Sequence, residues 1–435
     1  MQAQDASTAR QARFAVIVLT AMNLLNYFDR YVPSAVKDLF KEDLKLTDTE
    51  TSLPLTAFVV VYMFASPVFG SLADRVPRKR LIAAGVGLWS LATAGAALAT
   101  GFWSFLFARA LVGVGEAAYA TLAPVMLSDW FAPEKRNRVL TIFYVAIPVG
   151  AALGFSLGGV LGGAFGWRAA FLVCGLPGLL AAALALRIQD PRDTGQAYVD
   201  EPEGGQPSWG IALRALSKNG TYITAVIGYT LVTFASGGMA DWLPTWLARE
   251  RGNELVGVSL AAWDAMKVQD PAQFHAATSS ALAKAGGLVG MVTIMGGLGG
   301  TVLGGWLADR WANRFRNPYL ATSAITMAPA AVFAVLAFNA PSADLSIVFI
   351  GLAQVCMWCY NGPINTVLVN STDPWLRARA FSLSILSIHI LGDAISPPII
   401  GAISDATGSL TWGVALVPLT LALGAGVWAW GWKRL

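Results

Sequence analysis

The chain has 435 residues, 55% of them hydrophobic and 13% charged, against about 25% charged in an average soluble domain. With 44 Gly, 16 Trp and a mean hydropathy of +0.56, it is neither an ordinary soluble enzyme of two or three domains nor a disordered or collagen-like chain. A net charge of +4 is too small to point to nucleic acid, and three Cys in this length exclude a disulfide framework.

The polar start, MQAQDASTARQARF, has no apolar core followed by a small-residue cleavage site. The first apolar run is therefore expected to stay as a span and not to be a removable signal. Stretches long and apolar enough to span, about 20 residues each, occur in about twelve places. They begin near Phe14, Thr51, Lys79, Gly101, Val139 and Arg168, then near Thr221, Ser279, Pro318, Ser346, Leu376 and Leu410. They read as helices, because a barrel would show short alternating segments.

With the N-terminus inside, about 20 basic residues fall on the cytoplasmic side and about 8 outside. The inner set includes Arg75, Arg78, Lys79 and Arg80, then Lys135, Arg136 and Arg138, then Arg310, Arg314 and Arg316, and finally Arg377, Arg379, Lys433 and Arg434. Glu42, Asp43, Asp48 and Glu50 lie outside. Both termini are therefore expected in the cytoplasm, in a cytoplasmic (inner) membrane.

A polar stretch near the middle, 189–219, marks a linker whose last part has an amphipathic pattern. A second polar segment, 249–277, is expected to hold one or two short helices between spans seven and eight. The halves echo each other. GSLADR at Gly70–Arg75 recurs as GWLADR at Gly305–Arg310, and a basic pair opens the fifth span of each half. The expectation is an all-α membrane protein of twelve transmembrane helices in two pseudo-symmetric six-helix bundles, 1–188 and 220–435. Such internal repeats build alternating-access carriers with the site at mid-membrane.

GSLADRVPRKRL (Gly70–Leu81) resembles the loop between helices two and three of the major facilitator superfamily. RALVGVGEAA (Arg109–Ala118) resembles its helix-four motif, and GAALGFSLGGVLGG (Gly150–Gly163) its helix-five pattern. Within it, NYFDRY (Asn26–Tyr31), GEAAYATLAPVMLSDWF (Gly115–Phe131) and FYVAIPVGAALGF (Phe143–Phe155) resemble the spinster family, whose members carry lysophospholipids and sphingosine-1-phosphate. An Asp-Arg pair on helix one and a Glu on helix four also occur in carriers of organic anions such as sugar acids. The resemblance implies the major facilitator fold, a proton relay at Asp29 and Glu116, and a latch between the halves at Asp74, Arg75, Arg78 and Asp309.

The residues themselves support the relay. A charge at mid-bilayer costs at least about 2.5–3.5 kcal/mol on insertion scales, so a buried acid needs a partner, water or a function. Asp29 and Arg30 lie on adjacent faces of the first span, about 100° apart. Arg109, Gly113 and Glu116 share a face of the fourth. Asp29 and Glu116 are read as proton-carrying acids, and Arg30 and Arg109 as substrate-binding cations whose engagement tunes them. The competing reading is a fixed ion-pair network joining spans one and four. Asn361 and Asp393 are further candidates for the substrate cavity, beside Asn365 and Gln354, which hydrogen bonding between helices explains as well. His389 reads more often as a packing histidine than as a proton relay, and Asp241, near the outer end of the seventh span, reads either as a gate or as a solvated side chain.

The Cys356–Cys359 spacing has no second ligand pair, so no metal or redox site is expected. Gly150, Gly154, Gly158 and Gly162 are expected to permit close helix packing. No Walker loop or catalytic triad is present, so an ion gradient is the expected energy source, with no cofactor and no enzymatic activity. The expected function is proton-coupled transport of a single-chain lipid with a charged head by a monomer. The alternatives are a sugar-acid-like organic-anion symporter or a multidrug exporter of the same fold.

Overall fold

The computed structural model describes residues 2–194 and 208–434. Part of the expected linker, 195–207, therefore lies outside the described residues. Every regular element among them is helical. The chain divides into two compact units, Met1–Leu46 with Leu53–Glu201, and Thr47–Ser52 with Pro202–Leu435. The six residues Thr47–Ser52 group with the second unit, and the sequence pattern carries no sign of it.

The first unit contains α1 (Gln2–Ala35), α2 (Lys37–Leu44), α3 (Asp48–Leu72, from Leu53 onward), α4 (Arg78–Ala96), α5 (Phe102–Trp130), α6 (Pro133–Phe165), α7 (Trp167–Gly175) and α8 (Pro177–Ala185). The second contains α9 (Trp209–Leu216), α10 (Gly220–Val256), α11 (Leu260–Gln269), α12 (Pro271–Ile294), α13 (Thr301–Trp311), α14 (Pro318–Phe338), α15 (Ala343–Trp358), α16 (Asn361–Asn370), α17 (Arg377–Ile388), α18 (Ser396–Thr407), α19 (Leu410–Val414) and α20 (Leu416–Arg434).

Among the described residues, ten helical stretches are long and apolar enough to cross a membrane. The two other expected spans, α1 and α4, are unbroken helices that carry more polar residues. In α1 these include Asn23, Asn26, Asp29 and Arg30, and α4 opens on Arg78, Lys79 and Arg80. Several spans contain Pro, among them Pro67, Pro124, Pro148, Pro244 and Pro329. Membrane helices tolerate it because neighbouring helices and local adjustments satisfy the freed carbonyls.

Packing in the first unit follows its small residues. A β-carbon at Gly150 would stand 2.6 Å from the Leu24 carbonyl oxygen, and one at Gly154 would stand 2.6 Å from that of Phe28. Gly158 and Gly162 abut Val32 and Val36 in turn, so the glycine face of α6 lies directly on α1. Gly85 and Gly115 bring α4 and α5 equally close. An aromatic cluster of Phe40, Phe105, Trp167 and Phe171 fastens α2, α5 and α7 at one end of the unit.

In the second unit the helices are interrupted. Two stretches are π-helical, Met295–Gly300 between α12 and α13, and His389–Asp393 between α17 and α18. Such insertions often mark functional positions. The segment expected between spans seven and eight is continuous with them. α10 ends on Gly257 in the left-handed region (φ 75°), α11 is one short helix, and α12 begins at Pro271 with Asp270 accepting from the Gln273 N–H.

Candidate functional site

Four ionisable side chains expected to matter converge in the first unit. Arg30 Nη2 donates to Glu116 Oε2 at 2.5 Å, linking α1 to α5. Glu116 is fully buried, and Asp29 and Arg109 are each 1% exposed. Asp29 lies within electrostatic reach of Glu116 and Arg109, with Trp89 and Thr93 of α4 beside it. The adjacent faces of α1 thus send Asp29 and Arg30 in different directions: α5 supplies the partner of Arg30, and Asp29 lies towards Trp89 and Thr93 of α4.

Aromatic rings surround the cations. The Arg30 guanidinium carbon stands 4.6 Å from the centroid of Tyr27, 4.9 Å from Phe58 and 5.9 Å from Tyr62. Arg109 stands 5.6 Å from the same Phe58 ring. Phe58 therefore faces two guanidinium groups, which its π-cloud attracts in a desolvated setting. Its approach depends on Gly113, where a β-carbon would lie 2.5 Å from the Phe58 carbonyl oxygen.

The centre is incompletely satisfied. Asp29 Oδ1, Glu116 Oε1, Arg30 Nε, and both Nη atoms of Arg109 are buried with no hydrogen-bond partner among the described residues. An unpaired buried polar group costs about 1–3 kcal/mol, more when charged. A cluster of them is a place where protons, water or a polar ligand gain most by binding.

The latch candidates separate. Asp74 and Arg75 are exposed at the turn between α3 and α4, and Asp309 is exposed on α13. Arg78 departs from the expected surface position and is 1% exposed. Its Nε donates to Asp190 Oδ2 at 2.7 Å, its Nη1 to Asp129 Oδ2 at 2.7 Å, and its Nη2 to Asp190 Oδ1. Arg192 approaches Asp129 at 3.6 Å. Arg78 thus ties the start of α4 to the end of α5 and to the chain leaving α8. Burial alone would raise the Asp190 carboxyl, but its bonds to Arg78 outweigh that and hold it below the usual carboxylate range.

The second unit holds the remaining candidates. His389 Nδ1 lies 3.0 Å from both oxygens of Asp393 across the π-helical turn. Gly237 of α10 abuts Asp393 and Gly392 abuts Thr233. The Tyr229 and Tyr360 rings meet edge to face at 5.3 Å, and Asn365 lies beside Tyr229. Asn361 belongs to this region through the Asn365 amide, which donates to its carbonyl oxygen at 2.7 Å.

A second ion-pair cluster escaped the sequence pattern. Arg249 donates through two nitrogens to the two oxygens of Asp48, both at 2.8 Å, and Ser404 donates to Asp48 at 2.6 Å. Asp405 accepts from the N–H groups of Asp48 and Thr49, each at 2.9 Å, at the start of α3. Asp241 accepts from Ser52 at 2.7 Å. These partners lie hundreds of positions apart, and nothing in local spacing announces them. Phe58, Trp89 and Thr93 were equally hidden, because aromatic and hydroxyl residues in an apolar helix are ordinary.

The sequence profile of the Major Facilitator Superfamily matches residues 19–397. Protein spinster homolog 1 of Xenopus laevis is 33% identical over 397 residues, spanning 90% of this chain and 72% of that protein. The crystal structure of a bacterial homolog to the human lysosomal transporter Spinster, inward-facing and occupied, superposes with a TM-score of 0.77 at 19% identity, over 97% of each chain. A D-xylose-proton symporter structure does so with a TM-score of 0.70 at 15% identity, again over 97% of each. These two structures share the fold. Members of the matched family are carriers and not enzymes. This chain is an integral membrane transporter of the major facilitator superfamily and belongs to its spinster family.

Proposed function

We propose that the chain is a proton-coupled carrier that works by alternating access and moves a single-chain amphipathic lipid of the sphingosine-1-phosphate or lysophospholipid type. The observation that carries this reading is the buried Arg30–Glu116 pair with unpaired atoms around it. With Glu116 ionised, Arg30 is engaged by the carboxylate. A proton on Glu116 removes that competitor, and Arg30 is released to hold an anionic head group. Asp29 offers a second acid within electrostatic reach of Glu116, so the pair can pass or share the proton. Substrate anion and carboxylate compete for one guanidinium, which couples their binding without moving any backbone. Arg109 keeps the net charge of the centre positive once a proton has entered.

The rings of Tyr27, Phe58 and Tyr62 around Arg30 suit an amphiphile better than a sugar acid, whose hydroxyls need amide and carboxylate partners. The membrane is proposed to be a cytoplasmic (inner) one, with both termini inside, on the distribution of Lys and Arg.

The test is transport in proteoliposomes carrying an internal pH dye, with sphingosine-1-phosphate, a lysophospholipid and a sugar acid offered separately. Lipid-dependent proton flux that disappears in Glu116→Gln is the expected result. Flux with the sugar acid alone moves the substrate to the organic-anion class. Lipid-driven flux that persists in Glu116→Gln rejects the proton assignment.

A further inference from the structure

The two repeats differ after the second span of each half. In the first unit Arg78 is buried and bound to Asp129 and Asp190. In the register that sets GSLADR on GWLADR, Arg78 corresponds to Asn313 of the second unit. In the register of the two basic pairs, Arg136 with Arg138 and Arg377 with Arg379, Asp129 corresponds to Asn370. Asp190 follows α8, whereas α20, which closes the second half, ends on Lys433 and Arg434. The charge lock of the first unit therefore has no counterpart in the second.

Uncompensated cations gather there instead. Arg310, Arg314 and Arg316, at and just past the end of α13, are exposed, as are Lys433 and Arg434 in the last turn of α20. The Phe315 ring meets that of Trp432 at 4.9 Å and joins the two helix ends. Asp309 is the one acid in 305–319 and 430–434. None of the five cations is in an ion pair among the described residues. Arg310 lies over the Trp306 ring, 5.7 Å from its centroid. Both helices end stretches long and apolar enough to cross a membrane, Pro271–Trp311 and Leu410–Arg434, so the joined ends lie at the bilayer surface. Trp306 and Trp430, 56% and 51% exposed, mark the same level, since exposed Trp is typical of the membrane–water boundary.

We propose that the joined ends of α13 and α20 bind the phosphates of anionic bilayer phospholipid, which supply from outside the negative charge that Asp129 and Asp190 supply within the first unit. Unpaired guanidinium groups hold phosphate through two N–H groups at once. About four to eight Lys and Arg beside a membrane span suffice to recruit such lipid. Bilayer lipid is the occupant because five cations with one acid flank two spans at the depth where its phosphates lie.

Native mass spectrometry of the protein purified with equal phosphatidylglycerol and phosphatidylcholine tests this. Arg310→Gln with Arg314→Gln and Arg316→Gln is expected to lower the retained ratio of phosphatidylglycerol to phosphatidylcholine at least about tenfold. Arg75→Gln with Lys79→Gln and Arg80→Gln removes the same charge from the corresponding loop of the first unit and is expected to leave most of the preference. Equal losses in the two variants overturn the proposal, because binding would then be diffuse attraction to surface charge. An unchanged ratio in the first variant overturns it as well. Should that variant not fold, Lys433→Gln with Arg434→Gln removes two cations from α20 and is expected to lower the ratio about tenfold. In the wild type, phosphatidylglycerol with a diazirine on its head group is expected to label 305–319 and 430–434. Labelling confined to other segments overturns the proposal.

Discussion

Arg30 and Glu116 are 86 positions apart in the chain, yet Nη2 of one lies 2.5 Å from Oε2 of the other inside a centre where Glu116 has no exposed surface. The guanidinium is at once an ion-pair partner, a cation over three rings, and a donor whose Nε is unpaired. Only the planar fork can fill all three places at once.

Arg30→Lys is therefore not conservative. It retains the charge but loses the stacking and the second donor. Transport is expected to fall by at least about tenfold, the loss of one charge-assisted hydrogen bond, while yield and melting temperature stay near wild type. Proteoliposome uptake measured beside a thermal melt checks this, and wild-type uptake in Arg30→Lys would show that the fork has no part in binding.

Gly150→Val and Gly154→Leu should damage folding and not chemistry. Each side chain would be forced onto a backbone carbonyl of α1, and overpacking of this kind costs about 1–3 kcal/mol or more. A lower melting temperature in detergent is the expected readout. Gly426→Ala is the control, because no atom lies within 4 Å of a β-carbon built there.

Arg78→Ala leaves Asp129 and Asp190 with Arg192 alone, and breaking a buried pair by removing one partner costs up to about 3–5 kcal/mol. The pH dependence follows from the sign of the Asp190 shift. Its folded pKa is depressed, so the stabilisation is fully present above the unfolded value of about 3.9 and is lost as pH falls through the folded pKa. Between pH 5 and pH 3, the wild type should lose more thermal stability than Asp190→Asn. Equal losses would remove Asp190 from the account.

Arg249→Met leaves Asp48 with its serine donor but without its cation, and Asp48 is 3% exposed. The single change should destabilise by about 3 kcal/mol, whereas Asp48→Asn in the same chain should recover most of that loss. A double-mutant cycle on melting curves measures the coupling, and additive effects would mean that the two side chains act independently.

The sequence by itself determined the helical class, the repeat of GSLADR in GWLADR and the glycine face of α6, and it singled out the four charged residues of the candidate site, since apolar stretches and intramembrane charges are local signals. It also carried the motifs that assign the family. Tertiary structure alone decided the pairings. Arg30 takes Glu116 while Asp29 turns to α4. Arg78 is drawn inside to Asp129 and Asp190, and the start of α3 is bound by Asp405 and Arg249. Which buried charge meets which is a matter of helix rotation and approach, set by packing between segments far apart in the chain. No spacing rule within one helix can encode that.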